Sequence, residues 1–493
     1  MSKLSSEERE ALLLGLTDMG GAGQAESESQ ELFCRRFLPV PEHLRAFAPD
    51  VALILGERGS GKSELFRAII ESGLLPQLAS HASGVRFPPL ERTSWVKGYA
   101  HGADFPDARG LKAFLGVGKS MTSEVQELWF AYLVRTLRPH LDEQASRDIE
   151  PLLSPRGGDL SAVMSAFTQA GQAPLLALDR LDEQLTREDR WVFVGYDELD
   201  TLGGTDWNVM GQAITGLIGF WAAYSRRWRK LRVKLFMRTD LFRRNSATMS
   251  ADLPKLAANR AELSWSDRNL YALLVKRIAN SSPRLEQYCR DARIVLKPAD
   301  PVLGVLPEIT RAEDAKPLVD RMVGLYMGAN KNKGLAFNWL LDHIRDGQEK
   351  GYPRALVRLI EEAAITERNN PKATHSRLLH PTSLRRATEG VSKLQVTQAQ
   401  AHEWPWIEGL HKRLTGQRVP MKRTQLEGLL KKNWEKSWGI QADVSPPAPD
   451  PRNLVRYLVE IGVLRERSQD RLDAPDLYQA GLGLRRKGGV ARS

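Results

Sequence analysis

The chain has 493 residues, of which 42% are hydrophobic and 27% are charged, an ordinary balance for a globular protein. No apolar run approaches the roughly 20 residues that span a bilayer, and the acidic first residues do not resemble a secretory signal. We therefore expect a cytoplasmic protein without membrane contact. The cysteines are only Cys34 and Cys289, which excludes a disulfide scaffold and a cysteine-rich zinc site. The net charge of +11 favours an anionic partner, of which nucleic acid is the commonest.

Three short apolar runs end in polar residues, as parallel strands buried on both faces do. They begin at Val51 (VALILG), Arg190 (RWVFVGYDELD) and Leu231 (LRVKLFMRTD), with amphipathic stretches between them. Strands that alternate with helices predict an α/β fold with a parallel sheet. The predicted segments are a mobile N-terminal arm or loosely docked helix over 1–32, a core over 33–265 with an insertion at about 75–185, a helical segment over 266–400 and a basic domain over 401–493.

A glycine-rich loop follows the first predicted strand. GERGSGKS places Gly56, Gly61, Lys62 and Ser63 in the complete phosphate-binding-loop pattern, directly before the helix-forming SELFRAII. Glycines let the backbone N–H groups turn inward toward phosphate oxygens, the lysine adds a positive charge, and the serine offers a hydroxyl to Mg²⁺. The residues expected to bind the nucleotide are Gly56, Glu57, Arg58, Gly59, Ser60, Gly61, Lys62, Ser63 and Glu64.

A second Gly-Lys-Ser sequence serves as an internal comparison. In AFLGVGKS, Ala113 stands where the first glycine of the pattern belongs, and no buried strand leads into the motif. We interpret Gly118-Lys119-Ser120 as a loop or a helix start rather than a phosphate site.

Two carboxylates end the second predicted strand. A site that hydrolyses a nucleoside triphosphate needs one carboxylate near Mg²⁺ and usually a second to activate the attacking water. Asp197 is the candidate metal ligand, together with Ser63, and Glu198 is the candidate general base. The alternative, a solvated acidic pair, is disfavoured because the pair follows the phosphate loop in the expected chain order.

The third predicted strand ends in Arg238-Thr239-Asp240. A polar side chain at this strand end can hydrogen-bond the attacking water or the terminal phosphate. Thr239 is the smallest suitable donor, while Arg238 and Asp240 stay open as candidates. Equally, Asp240 can be an ordinary helix cap.

These motifs, in this order, resemble the AAA+ and STAND (signal-transduction ATPase with numerous domains) branch of the P-loop ATPases, over roughly Phe33 to Glu367. The resemblance implies an ATP- and Mg²⁺-dependent ATPase whose core is followed by a helical lid. The phrase AELSWSDRNLYALLVKRI resembles the entry into that lid, and GYPRALVRLIEEA supplies a Gly-x-x-Arg sequence. Arg354 is thus the candidate lid arginine.

The resemblance leaves two features open and favours one nucleotide. Arg243, Arg244 and Arg260 lie in plausible places for an arginine finger, but none can be assigned, so self-assembly into a homo-oligomer stays open. No guanine-specificity motif of the NKxD type follows the core, which favours ATP over GTP.

From Leu410 onward the chain is dense in lysine and arginine, interrupted by Trp434 and Trp438. A helix over the stretch NLVRYLVEI, ended by Gly462, precedes a predicted hairpin that turns at Ser468-Gln469-Asp470. Helices followed by a hairpin resemble a winged helix, a module often found after an AAA+ lid. The pattern predicts contact with DNA or RNA, mostly through phosphates. The alternative is an autoinhibitory or protein-docking domain.

Two functions from different classes fit this organisation. One is an initiator-type or motor ATPase that couples hydrolysis to nucleic-acid engagement or partner loading. The other is a signalling-switch ATPase whose C-terminal domain docks a protein effector, in a setting such as bacterial mobile elements or phage defence. A scaffold that binds nucleotide without hydrolysis is disfavoured by Glu198, since a pure binder needs no base.

Overall fold

The computed structural model describes residues 5–20, 28–82, 84–116, 122–204, 206–246, 256–370, 377–402, 404–439 and 444–487. Gly118-Lys119-Ser120 lies outside these residues. The chain divides into two compact units. One contains Pro39–Ser264, and the other contains Met1–Leu38 and Trp265–Ser493. We call them the core unit and the lid unit. Among the described helices, none combines the length and apolarity needed to cross a bilayer.

A parallel sheet lies at the centre of the core unit. Its strands, taken from the described residues, are β1 (Leu53–Gly56), β2 (Thr93–Lys97), β3 (Trp191–Tyr196), β4 (Leu231–Arg238) and β5 (Arg260–Glu262). They lie in the order β2-β3-β4-β1-β5, and every neighbouring pair is parallel. The predicted α/β class is therefore confirmed. Because β4 lies between β1 and β3, the ends of all three predicted strands meet at one edge of the sheet.

Strand β2 was not predicted, since it falls in the segment interpreted as an insertion. Its sequence, TSWVK, has neither an apolar run nor a clear alternation of apolar and polar residues. In the structure, all five residues are half-buried. Tertiary packing places it at the edge: Trp95 stacks on Phe193 of β3 at 4.4 Å between ring centroids.

Helices cover the sheet of the core unit. Their bounds are Pro41–Leu44, Lys62–Phe66, Leu75–Ala79, Ala108–Gly116, Thr122–Leu137, Glu143–Asp148, Glu150–Leu153, Leu160–Ala170, Ala173–Arg187, Trp207–Tyr224 and Thr239–Ser246. The two longest, Thr122–Leu137 and Trp207–Tyr224, pack on one another, and the buried Trp129 indole donates to the Ala213 carbonyl at 2.8 Å. This helix pair forms much of the apolar core.

A close approach between helix and strand positions the phosphate loop. Gly195 of β3 has no side chain, and a Cβ there would lie 2.3 Å from Ile70 Cδ1 and 3.0 Å from the Phe66 ring. The helical segment after the loop can therefore lie directly on β3. This contact brings the start of that segment next to the residues that follow β3.

The helices of the lid unit are Ser6–Leu16, Gln30–Arg36, Asp267–Ala279, Pro283–Asp291, Lys316–Met322, Ala336–Asp342, Pro353–Arg368, Pro381–His402, Ile407–Leu414, Arg423–Lys431, Pro451–Glu460 and Asp476–Gln479. Residues 1–32 were expected to form a mobile arm or a loosely docked helix. The structure has a helix, Ser6–Leu16, that packs on Pro353–Arg368 and buries Leu12, Leu13 and Leu16, while Leu14 is exposed. Arg9 also pairs with the buried Glu367 at 2.6 Å.

The end of the lid unit combines helices with a small antiparallel sheet. Helices Arg423–Lys431 and Pro451–Glu460 precede the hairpin of β8 (Arg465–Arg467) and β9 (Arg471–Asp473), as predicted. Strand β7 (Met421–Lys422) extends this hairpin into a three-stranded antiparallel sheet. Strands β6 (Arg418–Val419) and β10 (Arg485–Arg486) form a separate parallel pair.

Candidate nucleotide-binding site

The phosphate loop, Gly56–Ser63, connects β1 to the helix Lys62–Phe66 and has the backbone that its glycines predict. Gly59 and Gly61 have positive φ angles of 75° and 91°, a conformation that glycine adopts without strain. Gly56 is needed for space, because a Cβ there would lie 2.3 Å from the Ser60 hydroxyl. The Lys62 ammonium donates to the carbonyls of Gly56 at 3.0 Å and Glu57 at 3.1 Å, so its charge lies over the loop.

The carboxylate of Asp197 lies beside the same loop. It is buried at the end of β3, and the Ser63 hydroxyl lies near enough to lower its pKa. Burial raises the pKa of Asp197 to about 6, against the lowering effects of the Ser63 hydroxyl and the nearby Lys62 charge. The end of β3 thus meets the phosphate loop at the two residues that the sequence analysis named as metal ligands.

Glu198 follows Asp197 in the chain but points to a different partner. Its φ angle of 57° lies in the left-handed region, which is uncommon for a residue other than glycine. This turn separates the two adjacent side chains. The Glu198 carboxylate is one-third exposed, and its Oε2 lies 2.9 Å from Nε2 of His101, which follows β2.

The end of β4 lies between those of β1 and β3, and Arg238 stands directly opposite Gly56 in the ladder. The buried Arg238 guanidinium donates to Asp240 in a bidentate pair at 2.6 and 3.0 Å, and its Nη1 lies 3.7 Å from Asp200. Burial alone would raise the pKa of Asp240, but the Arg238 charge outweighs it and holds the pKa below its ordinary value. Arg238 and Asp240 thus bind each other.

Thr239, the preferred candidate at this strand end, begins the helix Thr239–Ser246 and is half-buried. Among the described residues, its hydroxyl has no hydrogen-bond partner, unlike its two neighbours. It is therefore the side chain of the three that keeps a donor available at the strand end.

The remaining candidate arginines lie farther along the chain. Arg243 is exposed, and Arg260 is exposed on β5, where it pairs with Glu262 at 2.9 Å. The side chain of Arg244 lies outside the described part. Arg354 is exposed in the first turn of Pro353–Arg368, in the lid unit, and its role as the lid arginine stays a prediction.

The donor set fits Mg²⁺, the ion that this type of loop implies. Ser63 and Asp197 present a hydroxyl and a carboxylate side by side, and hard oxygen donors of this kind suit Mg²⁺. Within the described ranges, no three His, Cys, Asp or Glu side chains group around a common point. Mg²⁺ is usually held by one or two protein groups and completes its shell with water and phosphate oxygens.

Sequence reasoning missed His101 and the role of Arg238. His101 stands in the loop sequence GYAHG, more than ninety positions before Glu198, and no motif connects the two. The pairing of Arg238 with Asp240 follows from an i, i+2 spacing at a strand-to-helix junction, which does not by itself distinguish a pair from a cap. Only the packing of β2 beside β3, and of β4 beside β1, brings these groups to the site.

The strand order and the loop geometry define a P-loop NTPase fold. No family model and no curated protein matches the sequence. The chain is similar to the solved Walker-type ATPase paby2304 of Pyrococcus abyssi, with 14% identity, a TM-score of 0.38 and coverage of 95% of this chain and 99% of that one. It is also similar to the Aeropyrum pernix ORC2 protein in ADPNP–ADP complexes, with 13% identity, a TM-score of 0.36 and coverage of 91% and 89%. A third similar structure is the Aeropyrum pernix ORC1 protein in complex with DNA, with 12% identity, a TM-score of 0.34 and coverage of 97% of this chain and 97% of that one. The functional assignment rests on the site itself.

Proposed function

We propose that this protein binds ATP with Mg²⁺ in the core unit, hydrolyses it, and couples hydrolysis to engagement of nucleic acid by its basic C-terminal domain. The observation that carries the proposal is the meeting of Ser63 and Asp197 beside Lys62. A phosphate loop without a carboxylate would be a binding site only. Here the Asp197 carboxylate lies near Ser63, and this proximity supports the proposal of a metal-assisted phosphoryl transfer.

The loop and its lysine supply the binding of the triphosphate. Backbone N–H groups at Gly59 and Gly61, freed by positive φ angles, provide donors for phosphate oxygens, and the helix that begins at Lys62 adds its dipole. The Lys62 ammonium now donates to two loop carbonyls, and it can exchange these bonds for phosphate oxygens without moving its backbone.

Ser63 and Asp197 would hold Mg²⁺, which neutralises phosphate charge and polarises the group to be transferred when it is bound. Glu198 is the proposed general base. Its left-handed backbone directs its carboxylate away from Asp197, and one-third exposure keeps it accessible to a water. His101 lies 2.9 Å from one oxygen of that carboxylate, and we propose that this contact competes with the binding of a water to the same oxygen. We propose that the free Thr239 hydroxyl binds the attacking water or the terminal phosphate.

The nucleic-acid part of the proposal rests on where the charge lies. Residues 410–493 contain 17 Lys and Arg against nine Asp and Glu, and thus carry eight of the eleven net positive charges of the chain. Such a basic domain favours phosphate contacts whose strength falls with salt. Of the two tryptophans in this domain, Trp438 is buried under Arg413 and cannot stack on bases, and the half-buried Trp434 packs on it edge to face.

The experiment that tests the proposal is a steady-state ATPase assay of the full chain with and without duplex DNA or single-stranded RNA. We expect Mg²⁺-dependent ATP turnover that nucleic acid stimulates, and nucleic-acid binding that weakens steeply between about 50 and about 200 mM salt. Turnover that ignores nucleic acid, together with no salt-sensitive binding, would contradict the coupling and favour the signalling-switch alternative. Absence of turnover with intact ATP binding would contradict the hydrolytic part alone.

A further inference from the structure

The small antiparallel sheet of the C-terminal domain has one strongly basic face. Directly opposite residues of antiparallel strands share a face, and the ladders place Lys422 of β7 opposite Arg471 of β9, and Arg471 opposite Arg467 of β8. Three cations therefore form one row across three strands. The alternate residues Met421 and Leu472 are buried on the other face of the sheet.

Around this row, one buried carboxylate organises several arginines. Asp473 is 2% exposed, and its Oδ2 accepts hydrogen bonds from Arg465 at 3.0 and 3.2 Å and from Arg467 at 3.1 and 3.3 Å. A guanidinium nitrogen of Arg486 lies 3.8 Å away. One negative charge is thus shared by three positive ones. We call Lys422, Arg465, Arg467, Arg471, Asp473 and Arg486 the outer sheet face.

The cations of this face differ in whether acidic side chains lie beside them. Arg465 and Arg486 have further acidic neighbours, Glu349 at 3.7 Å and Asp476 at 2.7 Å respectively. Lys422 and Arg471 are exposed, and among the described residues their side chains form no ion pair or hydrogen bond. Like charges directly opposite on neighbouring strands destabilise a sheet, so this arrangement has a cost that folding alone does not explain.

A ligand with regularly spaced negative charges would remove that cost. The row crosses strands that lie about 4.8 Å apart, so its cations span ~10 Å, a length over which a nucleic-acid strand presents several phosphates. The shared bonds to Asp473 hold Arg465 and Arg467 in place before binding, which reduces the entropy lost when guanidinium groups meet phosphates. None of the exposed large hydrophobic side chains of the described chain lies in this domain, so the face offers nothing to insert into a bilayer.

We propose that the outer sheet face is a binding site for the phosphate backbone of nucleic acid. The site is distinct from the exposed face of helix Pro451–Glu460, whose Arg452 and Arg456 are the other candidate contact. The inference rests on the proposed nucleic-acid engagement and adds the surface that makes the contact. The proposed contacts are to phosphates, which position a protein on the duplex and carry no sequence information directly.

The test compares three double variants of the full chain that each remove two exposed cations. K422A/R471A changes the outer sheet face and R452A/R456A changes the helix face. The matched control is R284A/K297A, which changes one exposed cation on the helix Pro283–Asp291 and one in the segment after it. Their binding to a fluorescein-labelled mixed-sequence duplex is measured by anisotropy across about 50 to about 200 mM salt. The unfolding midpoint of each variant shows that it folds. Polyglutamate and phosphatidylserine vesicles are the comparison polyanions.

We expect K422A/R471A to weaken duplex binding about tenfold and to reduce the slope of log K against log salt by about 2, with R284A/K297A unchanged. Unchanged binding and slope in K422A/R471A, with loss only in R452A/R456A, would overturn the inference and leave the proposed function intact. An equal loss toward polyglutamate or vesicles would also overturn it, by assigning the face to another polyanion. If the wild-type chain binds no nucleic acid, the inference falls together with the nucleic-acid part of the proposed function.

Discussion

In the core unit, the polar groups of the site stand at the ends of three neighbouring strands, next to short motifs that are contiguous in the chain. In the lid unit, the basic groups of the outer sheet face come from β7, β8, β9 and the C-terminal strand, separated by up to about sixty positions. The first arrangement can be recognised in the sequence, because the functional residues at each strand end are neighbours in the chain. The second has none, because its pattern exists only across strands.

The two units use the same device in their interiors. Each buries a lysine whose ammonium donates to two backbone carbonyls: Lys234 to Ala48 and Val51 in the core unit, and Lys276 to Leu303 and Val305 in the lid unit. In both, burial lowers the pKa of the lysine, well below its ordinary value for Lys234 and to about 7 for Lys276. The carbonyls belong to irregular segments, so each lysine satisfies backbone groups that no helix or strand satisfies. The two units are therefore alike in this use of a buried lysine, and the contrast described above concerns the polar groups at their surfaces.

The largest expected effect is confined to the core unit. K62A removes the charge that lies over the phosphate loop, and we expect ATP affinity to fall about 1000-fold or more, because an ammonium–phosphate contact of this kind contributes several kcal/mol. Isothermal titration with a non-hydrolysable ATP analogue measures it. The control is K119A, in the second Gly-Lys-Ser sequence, which should bind as the wild type does. Retained affinity in K62A would remove the phosphate-loop assignment.

The second effect separates binding from chemistry. E198Q keeps the shape of the side chain and removes the proton-accepting carboxylate, so we expect ATP affinity to change little and kcat to fall by ~10² to ~10⁴. Pre-steady-state and steady-state phosphate release measure the change. E183Q, an exposed substitution on the helix Ala173–Arg187, is the matched control. An unchanged kcat would exclude Glu198 as the base.

A third prediction concerns the interior of the lid unit. Because burial lowers the pKa of Lys276 to about 7 from its ordinary value of 10.5, the folded state binds fewer protons than the unfolded state between these pH values. Stability due to this lysine therefore rises with pH in that window. The free energy of unfolding of the wild type minus that of K276M should increase by about 2 kcal/mol between pH ~7 and ~9.

Chemical denaturation at both pH values measures this difference. K297M, which changes an exposed lysine of the same unit, should show no pH dependence relative to the wild type. A flat difference for K276M would mean that its ammonium is solvated, and the parallel between the two buried lysines would then fail.

The smallest effect returns to the core unit. H101A frees the Glu198 carboxylate from its 2.9 Å contact, and exposed pairs of this kind contribute about 0.2–1 kcal/mol. We expect kcat to rise up to about fivefold with ATP affinity unchanged, since the base no longer has to leave a partner. H101Q, which retains a hydrogen-bond donor, should lie closer to the wild type. A fall in kcat would instead make His101 a supporting residue of the base.

The α/β class, strands β1, β3 and β4, the phosphate loop and the hairpin of β8 and β9 could all be predicted from the sequence. Each of these is a local pattern: an apolar run, a glycine conformation, or a turn between alternating residues. The juxtaposition of Ser63 with Asp197 was foreseeable too, since parallel strands of one sheet end at the same edge.

Only the tertiary structure decided the rest. Strand β2 has no apolar run and exists because it packs beside β3, and through it His101 reaches Glu198. The N-terminal helix is docked because Leu12, Leu13 and Leu16 are buried and because Arg9 pairs with Glu367, more than 350 positions away. The row of Lys422, Arg471 and Arg467 depends on strand register, which a one-residue slip would reverse. Contacts between distant positions are fixed by the free energy of packing the whole unit, and no short stretch of sequence contains that information.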